Sequence, residues 1–158
     1  MFDVPHIYPT FRTLHGVLQY DVRGLIAELG ATLRGTATGD AGVRALYSTD
    51  SSNYRVVPDP VIVPADVDDL VAAVALASQA GAPIVLRGAG TSMAGNAIGG
   101  VVIDVSRHLN TIVDIDPVRR TAVVEPGVVL TDLTGAAAAY GLTSVSYTHL
   151  TLPTILRV

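Results

Sequence analysis

Apolar and polar residues fall in blocks along this chain, and the blocks have the lengths of secondary-structure elements. Val22, Leu25, Ile26 and Leu29 stand at i, i+3, i+4 and i+7 behind Asp21, with Gly30 after them. That is one helical face with an N-capping acid and a closing glycine, and it predicts a short amphipathic helix. Residues 1–20 show no clear period. Residues 35–60, "GTATGDAGVRALYSTDSSNYRVVPDP", are polar and turn-rich and predict a long structured loop.

From Val61 the pattern sharpens. "VIV" predicts a buried strand ending at Pro64. Asp66 and Asp69 approximate a capping box, and Val67, Leu70, Val71, Val74 and Ala77 form a helix face stopped by Gly81 and Pro83. "PIVL" is a second apolar strand, so the segment has the spacing of a βαβ unit with a right-handed crossover. Three more strands follow in "GVVIDVS" (100–106), "NTIVDID" (110–116) and "TAVVEPG" (121–127). The last two are joined by "PVRR" and read as a hairpin with Arg119 and Arg120 at a solvated tip. "LTDLTGAAAAYG" (130–141) predicts a helix with Leu130 and Leu133 on one face and Gly141 at its end.

The composition narrows the class. The chain has 158 residues, 49% hydrophobic and 15% charged, which predicts one compact domain with a substantial core. A net charge of −4 leaves no basic footprint, so no nucleic-acid partner is expected. The longest apolar run is broken by Ser78, Gln79, Gly81 and Pro83, so no membrane span is expected. The first residues lack the basic start of a signal peptide, and the cytoplasm is the default location. There is no cysteine, which removes disulfides, thiolate metal sites and cysteine-linked cofactors from this sequence. His6, His15, His108 and His149 lack metal-ligand spacing; His108 reads as a turn residue.

The candidate chemistry lies in "RGAGTSMAGN", residues 87–96. Gly90 and Gly95 have the gap of a phosphate loop of the Walker type, but Asn96 stands where that loop needs lysine. Gly88 and Gly90 match the first two glycines of a Rossmann fingerprint, but Met93 takes the third place and the loop follows a second strand, not a first. Two readings stay open on the residues alone. Consecutive glycine N–H groups, with the Thr91 and Ser92 hydroxyls, suit a pyrophosphate; a tight turn requiring positive φ needs the same glycines. Arg87 adds charge to the loop or makes a structural ion pair at the strand end. Asp50 reads as a turn-stabilising aspartate, and Asp104 and Asp114 as strand-edge or turn acids.

The loop, then "GVVIDVS", then "VVEPG", taken in that order, resembles the flavoprotein family of vanillyl-alcohol oxidase and p-cresol methylhydroxylase. The resemblance covers about Tyr47 to Leu142, and "YSTDSSNYRVVPDPVIVP" places it nearest the FAD-linked D-lactate dehydrogenase and glycolate oxidase type. It implies an α+β (α/β) fold of the p-cresol methylhydroxylase (PCMH) FAD-binding type, with a first βαβ lobe and the start of a second mixed-sheet lobe. It implies FAD held by Arg87, Gly88, Ala89, Gly90, Thr91 and Ser92 at the pyrophosphate. Gly95 and Asn96 would lie near the flavin, and Pro126 and Gly127 in a second wall. Thr91 stands where covalently flavinylated members carry histidine, so attachment is expected to be non-covalent.

The implied reaction is oxidation of a 2-hydroxy acid such as D-lactate or glycolate by hydride transfer to flavin N5, with electrons passed to a further acceptor. An iron–sulfur cluster belongs only to an additional C-terminal module of the long forms, and membrane-peripheral attachment only to a complete protein. Two alternatives remain: the same fold acting on another alcohol, a sugar lactone or an ether lipid, and a non-enzymatic α/β module with a structural glycine loop. The expected organisation is an N-terminal helical and loop segment (1–46), a partial FAD-binding domain (47–143) and a non-native tail (144–158), since "SYTHLTLPTILRV" resembles a translated sequencing adapter. A second glycine-rich segment of the family is expected beyond this sequence with the catalytic base. The chain by itself is therefore expected to turn nothing over and to hold FAD weakly or not at all.

Overall fold

The computed structural model describes residues 20–144 and the backbone of residues 156–157. In chain order the elements are α1 (Val22–Thr32), β1 (Thr36–Thr38), α2 (Ala41–Leu46), β2 (Val61–Val63), α3 (Val67–Gln79), β3 (Ile84–Arg87), β4 (Val101–Asp104), β5 (Ile112–Asp116), β6 (Thr121–Val124), α4 (Leu130–Ala138) and β7 (Leu156–Arg157). They form two sheets, ordered β1-β2-β4-β3 and β5-β6-β7.

The βαβ unit expected from residues 61–87 is present, with β4 laid between its two strands. β2 and β3 each pair in parallel with β4, through Val61↔Val102 on one side and Ile84↔Val101 to Arg87↔Asp104 on the other. This explains the unbroken apolar reading of "VIV" and "VVI". Val61 and Val102 are fully buried, and so are Ile62 and Ile103 on the opposite face. A parallel strand covered on both sides has no solvent face to mark with polar residues.

Ile62, Val101 and Ile103 meet Leu25, Leu29 and Leu33 of the α1 region and Ala73 and Ala77 of α3 in one core. Removing a fully buried leucine such as Leu29 from water contributes about 1.5–3 kcal/mol. α1 begins where expected: the Asp21 side chain accepts from the N–H groups of Arg23 and Gly24. It does not end at Gly30 but runs on to Thr32, because Leu29 and Leu33 must both reach the core, and Leu33 N–H still donates to the Leu29 carbonyl.

The face of α3 differs from the expected one. Asp69, Ala73 and Ala77 point inward, whereas Val67 and Val71 are 53% and 63% exposed. Asp69 is the cause. Its carboxylate accepts from the N–H groups of Arg34, Gly35 and Ala65 at 2.7–3.1 Å, fixing the first turn of the helix to both flanking segments. Burial pushes the Asp69 carboxyl up, but these three donors and the Arg34 charge outweigh it, and the net displacement is downward. Asp66 caps α3 by accepting from Asp69 N–H; the return bond of a capping box is not made, since the Asp69 oxygens are otherwise occupied.

Residues 35–60, expected as a loop throughout, contain β1 and α2. β1 is the antiparallel edge of the first sheet, Thr36↔Val63 to Thr38↔Val61, and α2 starts at Asp40, which accepts from Val43 N–H. Three residues of strand and six of helix are too short to carry a periodic signal. The hairpin β5–β6 forms as expected, with Arg120 at φ 55° in its tip and Arg119 beside Asp116. α4 buries Leu133 and Ala137 but leaves Leu130 36% exposed, and Gly141 at φ 69° turns the chain back. β7 pairs with β6, Thr121↔Arg157 and Ala122↔Leu156. The rest of the segment expected to be non-native, beyond Ser144, lies outside the described residues, as do His6, His15 and His149.

Candidate functional site

Because β2, β3 and β4 are parallel, their carboxyl ends share one edge of the sheet. Open α/β sheets bind ligands in the crevice outside that edge. The glycine-rich loop leaves it from Arg87, crosses beside the sheet and returns through Gly99 and Gly100 to the start of β4. At its far end Gly100 lies against the Pro83 carbonyl, and its own carbonyl accepts from Asp59 N–H at 2.8 Å.

The first part of this loop is open. Among the described residues, the N–H groups of Gly88, Ala89, Gly90, Thr91, Ser92 and Met93 donate to no acceptor. Nothing lies within 4 Å of where a Cβ on Gly88 would stand. Ser92 Oγ accepts from Asn96 N–H at 3.0 Å and Ala94 N–H at 3.3 Å, which leaves its own hydrogen to donate outward. A run of unpaired N–H groups next to a free hydroxyl donor is the chemistry of an anion cradle.

The second part is packed. Residues 47–57 run along the loop as a strap. Ser51 N–H donates to the Gly90 carbonyl at 3.2 Å, and Ala97 N–H to Asp50 at 3.3 Å. A Cβ on Gly95 would stand 2.9 Å from the Tyr54 ring, and one on Gly99 would stand 3.0 Å from Val56. Asp50 is thus more than a turn residue: it also accepts from Ser52 N–H and so joins strap to loop. Its carboxyl is held below its ordinary value, foremost by the Ser52 hydroxyl against the opposing effect of desolvation, then by the Ser52 and Ala97 N–H groups and the Arg87 charge.

The other expected residues divide in the same way. Arg87 makes no ion pair among the described residues. Its Nη1 donates to the carbonyls of Thr49 at 2.9 Å and Ala97 at 2.8 Å. Asn96 is exposed beside the loop. Pro126 is exposed too, whereas Gly127 is buried where a Cβ would stand 2.6 Å from the Leu109 carbonyl; its N–H donates to that same oxygen at 2.7 Å. Gly127 is a close-approach glycine locking the β6 exit onto the turn after β4. His108 is exposed, lining a cleft of about 290 Å³ with Arg34, Asp66 and Glu125 at the same sheet edge.

Asp104 corrects the sequence expectation most clearly. The turn half of the expectation holds, since Asp104 accepts from Ser106 N–H, but the strand-edge half does not: Asp104 lies 3% exposed in the central strand, opposite Arg87 in register. It accepts from the Tyr47 hydroxyl at 2.6 Å, from Ser106 Oγ at 2.6 Å and from Ser106 N–H at 2.8 Å. Burial and then the Asp104 contact push the Tyr47 hydroxyl pKa up. The signal available in the sequence was one carboxylate at the end of an otherwise wholly apolar strand, which demands buried partners; nothing local named Tyr47 as one of them.

The architecture superimposes on p-cresol methylhydroxylase with substrate bound, at a TM-score of 0.65 and 20% identity, over 78% of this chain and 26% of that one. It also superimposes on 6-hydroxy-D-nicotine oxidase from Arthrobacter nicotinovorans, at 0.60 and 26%, over 75% and 26% of the two chains. Fold and loop therefore define a partial FAD-binding domain of the PCMH type. The family described as FAD binding domain matches residues 58–152, and the chain belongs to that family. The chain is 37% identical over 103 residues to glycolate oxidase subunit GlcD of Bacillus subtilis, covering 63% of this chain and 22% of that protein. It is 36% identical over 110 residues to D-2-hydroxyglutarate dehydrogenase of Escherichia coli, covering 67% and 11%. The chain thus matches between about a tenth and a quarter of the length of these relatives.

The cofactor of the family is FAD, and the loop suits it. The unpaired N–H groups of Gly88 to Met93 and the Ser92 hydroxyl are donors of the kind that phosphate oxygens accept from. Gly88 leaves open the space that a side chain would fill. Among the described residues no helix is long and apolar enough to cross a membrane.

Proposed function

We propose that this chain forms the pyrophosphate-binding part of the FAD site in an oxidoreductase acting on a 2-hydroxy acid such as D-lactate or glycolate. The row of unpaired N–H groups from Gly88 to Met93, at the carboxyl edge of a parallel sheet, carries the first half of this reading. The substrate class is supported by the relatives, which are named for glycolate and D-2-hydroxyglutarate, both 2-hydroxy acids.

In this reading Gly88, Ala89, Gly90, Thr91 and Ser92 hold the two phosphates through N–H and hydroxyl donors. Gly95 and Asn96 continue toward the flavin, and Pro126 with Gly127 forms a second wall. Thr91 carries neither an imidazole nor a thiol and the sequence has no cysteine, so in this reading FAD is bound non-covalently. Bound flavin supplies the two-electron acceptor for a hydride leaving the substrate carbon. The chain's own part is to donate hydrogen bonds to the pyrophosphate and to fix the cofactor's register against the sheet. No catalytic residue is assigned within it, and the base, the electron acceptor site and any iron–sulfur ligands would come from sequence beyond it.

Titration of FAD, ADP and riboflavin into the isotope-labelled chain, followed by amide resonances, tests the cradle. FAD and ADP should both move Gly88, Gly90, Thr91 and Ser92, and riboflavin should not. An absence of response at these residues to both nucleotides in the complete protein stripped of its flavin sinks the reading. In the complete protein, anaerobic bleaching of the flavin by D-lactate or glycolate is the expected result for the substrate class. Bleaching by a simple alcohol or a sugar lactone with none by 2-hydroxy acids would replace that class.

A further inference from the structure

Arg87 stands at the root of the open part of the loop, and its guanidinium is already engaged on three sides. Nη1 uses both hydrogens, one on the Thr49 carbonyl of the strap and one on the Ala97 carbonyl of the packed loop. One face of the guanidinium lies over the Tyr47 ring, with Cζ 5.2 Å from the ring centre. Nη2 and Cζ lie against Gly90, where a side chain would collide with them. Tyr47 is itself tethered by its hydroxyl to Asp104, the strand partner of Arg87. The ring, the carboxylate and the arginine thus close a circuit between the sheet edge, the strap and the loop.

We propose that Arg87, braced by Tyr47 and Asp104, is a positioning residue that holds the glycine loop in its phosphate-binding shape without contacting the phosphates. The inference rests on the FAD reading above for what the shape is for, but the circuit itself is a property of the free chain. A phosphate ligand at this position would work through its charge, and a lysine would retain much of that. A clamp works through a planar fork serving two carbonyls while stacked on a ring, which lysine cannot reproduce. The same geometry reassigns Gly90. It is glycine because the arginine occupies its side-chain space at φ 71°, in addition to any approach by ligand.

The test compares Arg87→Lys, Arg87→Met and Tyr47→Phe in the whole chain. Without ligand, amide exchange at Ser51 and Ala97 should speed up in both arginine variants, since these groups bind Gly90 and Asp50 across the strap. Affinities for ADP and FAD should fall together, by about tenfold and by the same factor for lysine as for methionine, the scale of one or two lost hydrogen bonds. Tyr47→Phe keeps the ring beneath the cation and loses only the tether, so its effect should be smaller and in the same direction. Near-normal affinity in Arg87→Lys with a large loss in Arg87→Met would make the arginine a phosphate ligand and overturn the proposal. So would unchanged exchange at Ser51 and Ala97. If Arg87→Met does not fold, exchange in Arg87→Lys and Tyr47→Phe decides the question. If the unaltered chain responds to no nucleotide, the exchange comparison still tells whether the clamp exists.

Discussion

The two parts of the glycine-rich loop use the same residue type for opposite purposes. From Gly88 to Met93 the backbone N–H groups are unpaired, and Gly88 faces open space. From Gly95 to Gly100 every glycine has positive φ, and each is pressed against a neighbour: Tyr54, Val56 or the Pro83 carbonyl. The first part leaves its donors free, and the second is packed against the chain itself. Glycine count alone therefore overstates the ligand-binding content of such a motif, because Gly90, Gly95, Gly99 and Gly100 are spent on packing against Arg87, the strap and the sheet.

Substitutions can separate the two parts. The largest stability loss is expected at Gly100→Ala, where a Cβ would stand 2.5 Å from the Pro83 carbonyl at φ 57°. Left-handed strain and overpacking against backbone together should cost roughly 2–4 kcal/mol, read as a fall in the denaturation midpoint. Gly99→Ala should cost less, about 1–2 kcal/mol from its positive φ, because Val56 is half exposed and can yield. A Gly100→Ala protein as stable as the parent would dissolve the distinction from the packed side.

The tie between strap and loop should also respond to acid. The Asp50 carboxyl titrates below its ordinary value in the folded chain. Its contribution is therefore complete above the unfolded-state value of about 3.9 and is lost as pH falls through the lower folded value. Amide exchange at Ala97, corrected for intrinsic rate, should rise across that acid window, while Gly88 to Met93 show no matching step. Asp50→Asn should abolish the step.

The smallest stability effect is expected at Gly88→Ala. With nothing within 4 Å of the new methyl group and no positive φ, stability should stay within about 0.5 kcal/mol of the parent. The same variant should nevertheless weaken the amide response to ADP, because the methyl enters the cradle. A destabilised Gly88→Ala chain, or one with undiminished ADP binding, would break the comparison from the open side.

The strands β2, β3 and β4 and the helix α3 were legible because each combines an apolar run with a punctuating Pro, Gly or capping Asp, all local signals. Tyr47, Asp50 and Asp104 were not. Asp50 reads as a turn acid in "STDSS", and its bond to Ala97 spans 47 positions. Asp104 meets Tyr47 across 57 positions, so no window of sequence contains both partners. The rotated face of α3 was missed for the same reason: the position of the first turn is set by Arg34 and Gly35, which no periodicity within residues 67–79 can register.

The sequence by itself determined the βαβ order, the hairpin, and the place of a glycine loop between the second and third core strands, with an ordered set of motifs that named the flavoprotein family. The order, the hairpin and the loop's place follow from local propensity, patterning and spacing, which survive in one dimension; the family follows from the resemblance of the motifs. Only the tertiary structure decided which glycines face outward and which are packed, that β4 enters between β2 and β3, and that Arg87 turns its donors on two carbonyls. Those outcomes depend on which distant groups compete for the same donors and the same space, and that competition exists only once the strap, the loop and the sheet edge are brought together.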